Sequence, residues 1–325
     1  MNSSKTKEPF NFGKFYGKYG TLLILIVIFA LASLLVPNFI NPINLRNVLL
    51  QNAVVILLAY GATFVIILGH INVAYGAELA FIGCFACLVM SYTNNVLLAF
   101  LAAIAVGMLI GLINGYIITR FGIPAFIMTL GLQTIARGGA LLMTDGSPVS
   151  MVGYPAFNWF GQGYIGFIPS SVVIMIVFFI LVLILLNKTP FGRYVYAVGG
   201  NENAAIASGI KSKSVVRKAF LLDGFITAIA AVVFMARQAS GTPAGGVSYE
   251  FDAITAVVVG GTSLAGGVGN VFGTLIGALI VGIVNNVQNL LGVNTYWQQV
   301  IKGLIILFAV IIDVVTKQSA TKAEH

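Results

Sequence analysis

Charge is what this 325-residue chain has least of: only 8% of its residues are charged, and nine of those are acidic. A water-soluble domain carries about 25% charged residues, so a folded surface facing water on all sides is excluded. Histidine is as scarce, at two residues. With so few acids spread along the chain, no catalytic constellation and no metal-ligand set can be assembled from the sequence. The two cysteines, Cys84 and Cys87, form a CxxC. They lie on an uncharged run with no second ligand pair, and read as small buried hydrophobes, not as a metal or redox site. No GxxxxGK[ST] occurs, so the chain cannot bind and hydrolyse ATP by that route. Gly267 to Gly273 has GxGxxxG spacing, which is not the dinucleotide fingerprint, and it joins two apolar runs. The net charge of +8 has no basic face interleaved with aromatics, which excludes nucleic acid as a partner.

What is abundant is apolar sequence, at 59% of the chain. A helix needs about 20 apolar residues to cross about 30 Å of hydrocarbon. Ten runs approach that length: 21–36, 48–68, 76–91, 96–119, 124–143, 171–186, 219–236, 253–265, 271–291 and 296–315. The expected fold is an all-α integral membrane protein of about ten transmembrane helices, some broken by Gly-rich segments, with both termini cytoplasmic. The eighth run is short and the third carries Glu78. Residues 1–18 form a basic cytoplasmic tail, 19–316 a single transmembrane domain, and 317–325 a second cytoplasmic tail. The first run has no small-residue cleavage site after it, only Pro37-Asn38-Phe39, and reads as a permanent helix.

The longest polar interval, 188–218, holds Lys188, Arg193, Lys211, Lys213, Arg217 and Lys218 against the single acid Glu202. The positive-inside rule places it in the cytoplasm. The N-terminal lysines, Arg120 and the C-terminal lysines then fall on the same side, and the outer loops hold only Arg46 and Arg237. Asn201 to Ile210 is alanine-rich and fits two or three helical turns along the membrane surface. The interval 144–169, with Tyr154, Phe157 and Trp159 and no cation, is expected outside. There Tyr154, Trp159 and Tyr164 read as an interfacial aromatic belt, with sugar stacking the alternative.

Two Gly-broken intervals, 69–76 and 260–273, are expected at membrane depth, where irregular backbone survives only when buried in protein or lining a cavity. They point to a translocation path, although single glycines there equally serve close helix packing. Ionisable groups within spans should face a partner or water. Asp223 and Lys302 are read as lying near the inner ends of their spans, snorkelling or paired. Glu78 and Arg137 form a conceivable pair. His70 either hydrogen-bonds a solute hydroxyl or a neighbouring helix carbonyl.

Three stretches carry a specific resemblance: 249–254 (YEFDAI), 259–267 (VVGGTSLAGG less its first Val), and 273–280 (GTLIGALI), with 192–202 (GRYVYAVGGNE) and Asn285-Asn286. They closely resemble the membrane permease subunits of ribose-type sugar ABC importers, over nearly the whole chain. Two departures stand out. Where that family commonly reads Gly-Ile-Asp-Leu-Ser-Val-Gly, this chain has His70-Ile71-Asn72-Val73-Ala74-Tyr75-Gly76, with Asn72 for an acid and Ala74 for a hydroxyl. The turn after Gly267 has Val268 and Asn270 where basic residues are usual.

The resemblance implies a bacterial inner-membrane importer subunit, not an enzyme. It implies a second permease subunit, a copy or a homologue, two cytoplasmic ABC ATPase subunits that bind and hydrolyse ATP with Mg, and a periplasmic or lipid-anchored solute-binding protein. Arg193, Asn201, Glu202, Ala204, Ala205, Ser208 and Gly209 are then the coupling segment docked on the ATPase. His70, Asn72, Thr262, Ser263, Asn285 and Asn286 are candidates for the path of a neutral hydroxylated solute such as a pentose or hexose. Arg237, Glu250 and Asp252 are candidates for contact with the binding protein. A branched-chain amino acid, a nucleoside or a sugar-derived signal is the alternative cargo, and an ion-coupled secondary transporter with Glu78 as its acid the alternative class.

Overall fold

Most of the chain is helical in the computed structural model, which describes residues 12–323. In chain order the helices are α1 (Phe12–Leu35), α2 (Pro42–Ile67), α3 (Tyr75–Thr93), α4 (Val96–Phe121), α5 (Ala125–Met143), α6 (Pro155–Gln162), α7 (Ser170–Lys188), α8 (Pro190–Gly200), α9 (Glu202–Ala207), α10 (Ser212–Gln238), α11 (Tyr249–Val259), α12 (Val271–Leu290) and α13 (Thr295–Ala323). Four two-residue strands, β1 (Val149–Ser150), β2 (Tyr164–Ile165), β3 (Ile168–Pro169) and β4 (Ser240–Gly241), form the antiparallel pairs β1·β4 and β2·β3. Among the described residues seven helices are long and apolar enough to cross a membrane: α2, α3, α4, α5, α7, α10 and α12.

The starts and stops are written locally. Asn41 accepts a hydrogen bond from Ile43 N with Pro42 at the first helical position of α2, Asn95 accepts from Leu97 and Leu98 N at α4, and Asn270 accepts from Phe272 N at α12. Each satisfies amides that a helix start leaves unpaired. Gly122 ends α4 at φ +67, a left-handed cap that glycine takes without strain.

Helices α2 and α10 are the core, buried along most of their length, while α4, α5 and α7 expose much of theirs. Small residues make that burial tight. On α4, Gly107, Gly111 and Gly115 recur every four residues, one stripe of a helix. A Cβ on Gly107 would strike Gly224 O and the Ala228 Cβ, one on Gly111 would strike Phe220 O, and one on Gly115 would come 2.8 Å from Arg217 Cα. The α4 and α10 backbones therefore touch, the mode by which apolar helices associate where no hydrophobic force favours protein over lipid.

Several expected boundaries move. Run 253–265 is not one span: α11 begins earlier, at Tyr249, and stops at Val259, so it covers only 11 residues, about 16 Å at 1.5 Å per residue. Gly260 and Gly261, the latter at φ +89, end it, and 260–270 is irregular. The interval 188–218 is not a loop with one short helix but α8, α9 and the first turns of α10. In the expected tails, residues 12–18 are already helical and 317–323 continue α13, whereas 1–11 and 324–325 lie outside the described residues.

Contacts group the loops at the two ends of the bundle. Residues 149–150 pair with 240–241, and Arg46 lies over the Tyr164 ring at 5.3 Å, so the intervals expected outside share one end. At the other end Arg217 Nε donates to Thr119 Oγ1 at 2.7 Å, joining the end of α4 to the start of α10.

Candidate functional site: a buried carboxylate cluster and a three-way backbone junction

The segment 68–74, between α2 and α3, folds back into the bundle. Asp223 lies along α10 about 16 Å from that helix's start at Ser212. It is therefore well inside the bundle, not near an end as the sequence suggested. The start of α3 meets it there. Tyr75 Oη donates to Asp223 Oδ1 at 3.0 Å, and Asn72 Nδ2 donates to Asp223 Oδ2 at 3.1 Å. The same Asn72 amide reaches Glu78 Oε2 at 3.3 Å, and Asn114 Nδ2 donates to Glu78 Oε1 at 3.3 Å. Asn72 Oδ1 in turn accepts from Ala74 N at 2.9 Å, which fixes the orientation of the amide.

Two carboxylates thus share one amide donor, and both are almost wholly buried. Among the described residues no cation bonds either one. Arg137, the conceivable partner of Glu78, instead donates to Pro243 O at 2.6 Å and Gly245 O at 2.8 Å. Space for Asp223 comes from Gly61, where a Cβ would collide with the Asp223 carboxylate. Thr129 Oγ1 holds the same segment from α5 by accepting from Val73 N at 3.2 Å. His70 is half-buried, its ring 6.1 Å from that of Phe220.

The second broken interval packs against the first. Gly267 N donates to Ile67 O at 2.8 Å, at the last residue of α2. Thr262 is buried with no hydrogen-bond partner for its Oγ1 among the described residues, and buried Ser263 Oγ accepts from Ala265 N at 3.3 Å. The end of α8 enters the same junction: Tyr196 Oη donates to Gly269 O at 2.7 Å, and a Cβ on Gly199 would strike Ile67 O.

Asn285 and Asn286 lie elsewhere, near the end of α12. Asn286 and Asn44 exchange reciprocal amide bonds of 2.8 and 3.0 Å, and Asn285 Nδ2 donates to Asp252 Oδ1 at 3.4 Å. The six path candidates are therefore not brought to one place: His70 and Asn72 lie in one break, Thr262 and Ser263 in the adjoining one, Asn285 and Asn286 apart.

The candidates for contact with a binding protein are mostly turned inward. Asp252 is buried and paired with Lys302 Nζ at 2.8 Å, and Glu250 is buried beside Gly76. Lys302 belongs to the start of α13, remote from the end bearing α8 and α9 and so not near the inner end as the sequence suggested, and its partner explains how a cation is tolerated there. Arg237 is half-buried, with Nη1 donating to Leu50 O at 3.3 Å.

Among the coupling residues, Arg193, Asn201, Glu202, Ala204, Ser208 and Gly209 are exposed and Ala205 is buried. Most of them build α9. Asn201 Oδ1 accepts from Ala204 N at 3.0 Å, Ser208 Oγ donates to Ala204 O at 2.9 Å, and Gly209 turns the chain at φ +83. Glu202 accepts from Ser212 Oγ at 2.5 Å, tying α9 to α10. The result is a six-residue helix that presents Ile206, 53% exposed, as an apolar knob.

Sequence reasoning missed Tyr75, Asn114, Tyr196, Gly199 and Ile206. Asn114 was detectable as an amide within an otherwise apolar run; the others carry no signal until the chain is folded. An apolar crevice lined by Phe100, Ile104, Phe160, Phe178 and Phe225 has no polar atom on its walls and is unrelated to the cluster.

Residues 44–310 match the family model described as branched-chain amino acid transport system / permease component. The chain is 44% identical to the ribose import permease protein RbsC of Bacillus subtilis (strain 168), over 91% of this chain and 92% of that one. It is 42% identical to RbsC of Escherichia coli (strain K12), over 90% and 92%. It is 36% identical to the D-allose transport system permease protein AlsC of the same strain, over 96% of each. No solved structure matches. The chain belongs to the permease family that the branched-chain amino acid transport model defines.

Proposed function

We propose that this chain is the membrane-spanning subunit of an ATP-driven importer for a sugar, a pentose or hexose, in the bacterial inner membrane. The observation that carries this reading is identity above 40% to ribose import permeases over nine-tenths of the chain. The family model's description mentions amino acids, but the relatives named for a cargo transport ribose and allose, with an L-arabinose permease at 35% identity. The exposed α9 supports an ATPase docking there, since a short capped helix with an apolar knob suits a cleft in a partner. The end of the bundle bearing α9 is assigned to the cytoplasm because the cations cluster there. On this reading α1, α11 and α13 join the seven long helices as membrane-embedded elements, giving ten.

The work of this chain follows from its breaks. Segments 68–74 and 260–270 are held by side-chain and backbone bonds to helices on either side, not by continuous helical ladders. They can change conformation while the long helices stay intact. Closure of two ATPase subunits would move α9 and α8, shift both breaks, and alternate access across the membrane. A second copy or a homologue completes the path, and a binding protein delivers the sugar.

The test is co-purification of the tagged chain in mild detergent from its native membrane, assayed for an ATP-hydrolysing subunit. Wild type is expected to retain an ATP-hydrolysing subunit, and Ile206→Asp to lose it while remaining folded. Recovery of no ATPase with the wild type would overturn the reading.

A further inference from the structure

We infer that the last turn of α8, Tyr196 to Gly200, is the element that transmits motion from the cytoplasmic surface to both broken segments at once. The inference rests on the reading that an ATPase docks on α9.

Three stretches of backbone meet at this point with almost no side chain between them. They are the end of α2 (Ile67 to Gly69), the end of α8 (Gly199 and Gly200) and the turn Ala265 to Gly269. A Cβ on Gly199 would overlap Ile67 O and come 2.9 Å from Gly267 N. One on Gly266, at φ +85, would lie 2.7 Å from Gly199 O, 3.0 Å from Gly69 N and 3.0 Å from Ile67 O. One on Gly267, at φ +76, would lie 2.7 Å from Gly200 Cα. The Gly267 N to Ile67 O bond closes one side of the triangle and the Tyr196 Oη to Gly269 O bond another.

Close-packed backbone has no rotamers to absorb a displacement, so a shift of one stretch must move the others. Flexible side chains at the same place would dissipate it. Upstream, Asn201 is both the end of α8 and the cap of α9, so the two helices share a residue. Downstream, Ile67 leads within five residues to Asn72, which bonds the carboxylates of Asp223 on α10 and Glu78 on α3. A load on α9 therefore reaches the 68–74 break, the 260–270 break and Asp223 through one backbone contact. Gly199 is a positioning residue in this scheme, and Tyr196 steadies it from the side.

The complex, with its ATPase and binding protein in proteoliposomes, decides the matter through the number of sugars moved per ATP hydrolysed. Gly199→Ala is expected to keep the ATPase bound and hydrolysing while that ratio falls roughly tenfold, as a bias of about 1.4 kcal/mol in a two-state equilibrium produces. A ratio equal to wild type overturns the inference, as does a parallel fall of transport and hydrolysis, which marks a merely structural role. If Gly199→Ala cannot be purified, Tyr196→Phe takes its place: loss of one hydrogen bond is expected to lower the ratio about threefold, and an unchanged ratio overturns the inference. A wild type that binds no ATPase defeats the underlying reading and this inference with it.

Discussion

Asp223 and Glu78 are held by donors alone. Asn72, Tyr75 and Asn114 supply hydrogen bonds to their four carboxylate oxygens, yet no positive charge among the described residues offsets two buried acids. Burying uncompensated charge costs several kcal/mol, whereas removing a partner from a buried polar group leaves that group unsatisfied. The two kinds of substitution should therefore diverge. Glu78→Gln keeps the shape and removes one charge, and its melting temperature in detergent is expected to equal or exceed that of wild type. Asp223→Ala strands the Tyr75 hydroxyl and half of the Asn72 amide beside a void, and is expected to cost about 2–4 kcal/mol. The reverse order would show that the acids are compensated by something else. Lys302→Ala is a milder case of the same logic. It leaves buried Asp252 with Asn285 as its remaining donor, and a loss of about 2 kcal/mol is expected by thermal unfolding, discounted because Lys302 is partly exposed. None of these partnerships was legible in the sequence. Asn72 and Glu78 are six residues apart and Asp223 is 151 residues beyond Asn72, so only the re-entry of 68–74 brings them together. The sequence did mark Asn72 as a departure from the acid usual in ribose-type permeases, and Glu78 supplies a carboxylate to the same amide.

At the scale of elements, glycine spacing outweighs hydropathy. Runs such as 96–119 are apolar on every side, so periodicity does not separate the face toward lipid from the face toward protein. The stripe Gly107, Gly111, Gly115 does, because it marks where α10 approaches α4. Gly111→Leu is expected to force these backbones apart at a cost of about 1–3 kcal/mol or more, read as a lower melting temperature and reduced yield of folded protein. Equal stability would mean that α4 packs through another face. Apolar runs located the seven helices among the described residues that are long and apolar enough to cross a membrane, since lipid demands continuous internal hydrogen bonding. The boundary of α11 was misplaced because Val257 to Val259 and Leu264-Ala265 read as one apolar run across Gly260-Gly261, and only the backbone turn at φ +89 separates them. The helix α8 was hidden for the opposite reason: Pro190 to Gly200 is glycine-rich and flanked by cations, the pattern of a loop, but Thr189 Oγ1 accepts from Gly192 N at 3.3 Å and Pro190 opens the helix.

For the whole molecule, the distribution of its parts matters most. The carboxylate cluster adjoins the break at 68–74, the two breaks and the end of α8 meet at one junction, and the segments 149–150 and 240–241 pair with each other away from it. On the proposed reading, a surface helix, a backbone junction and two irregular intervals act as one mechanical chain in a protein whose sequence holds no GxxxxGK[ST]. The measurement that tests this most directly is uptake of radiolabelled ribose, allose and arabinose into proteoliposomes holding the permease, its ATPase and its binding protein. Uptake of one of these sugars that requires ATP and the binding protein, and that persists when proton and sodium gradients are collapsed, is the predicted result. Uptake that proceeds without ATP and stops when an ion gradient is collapsed would contradict the account.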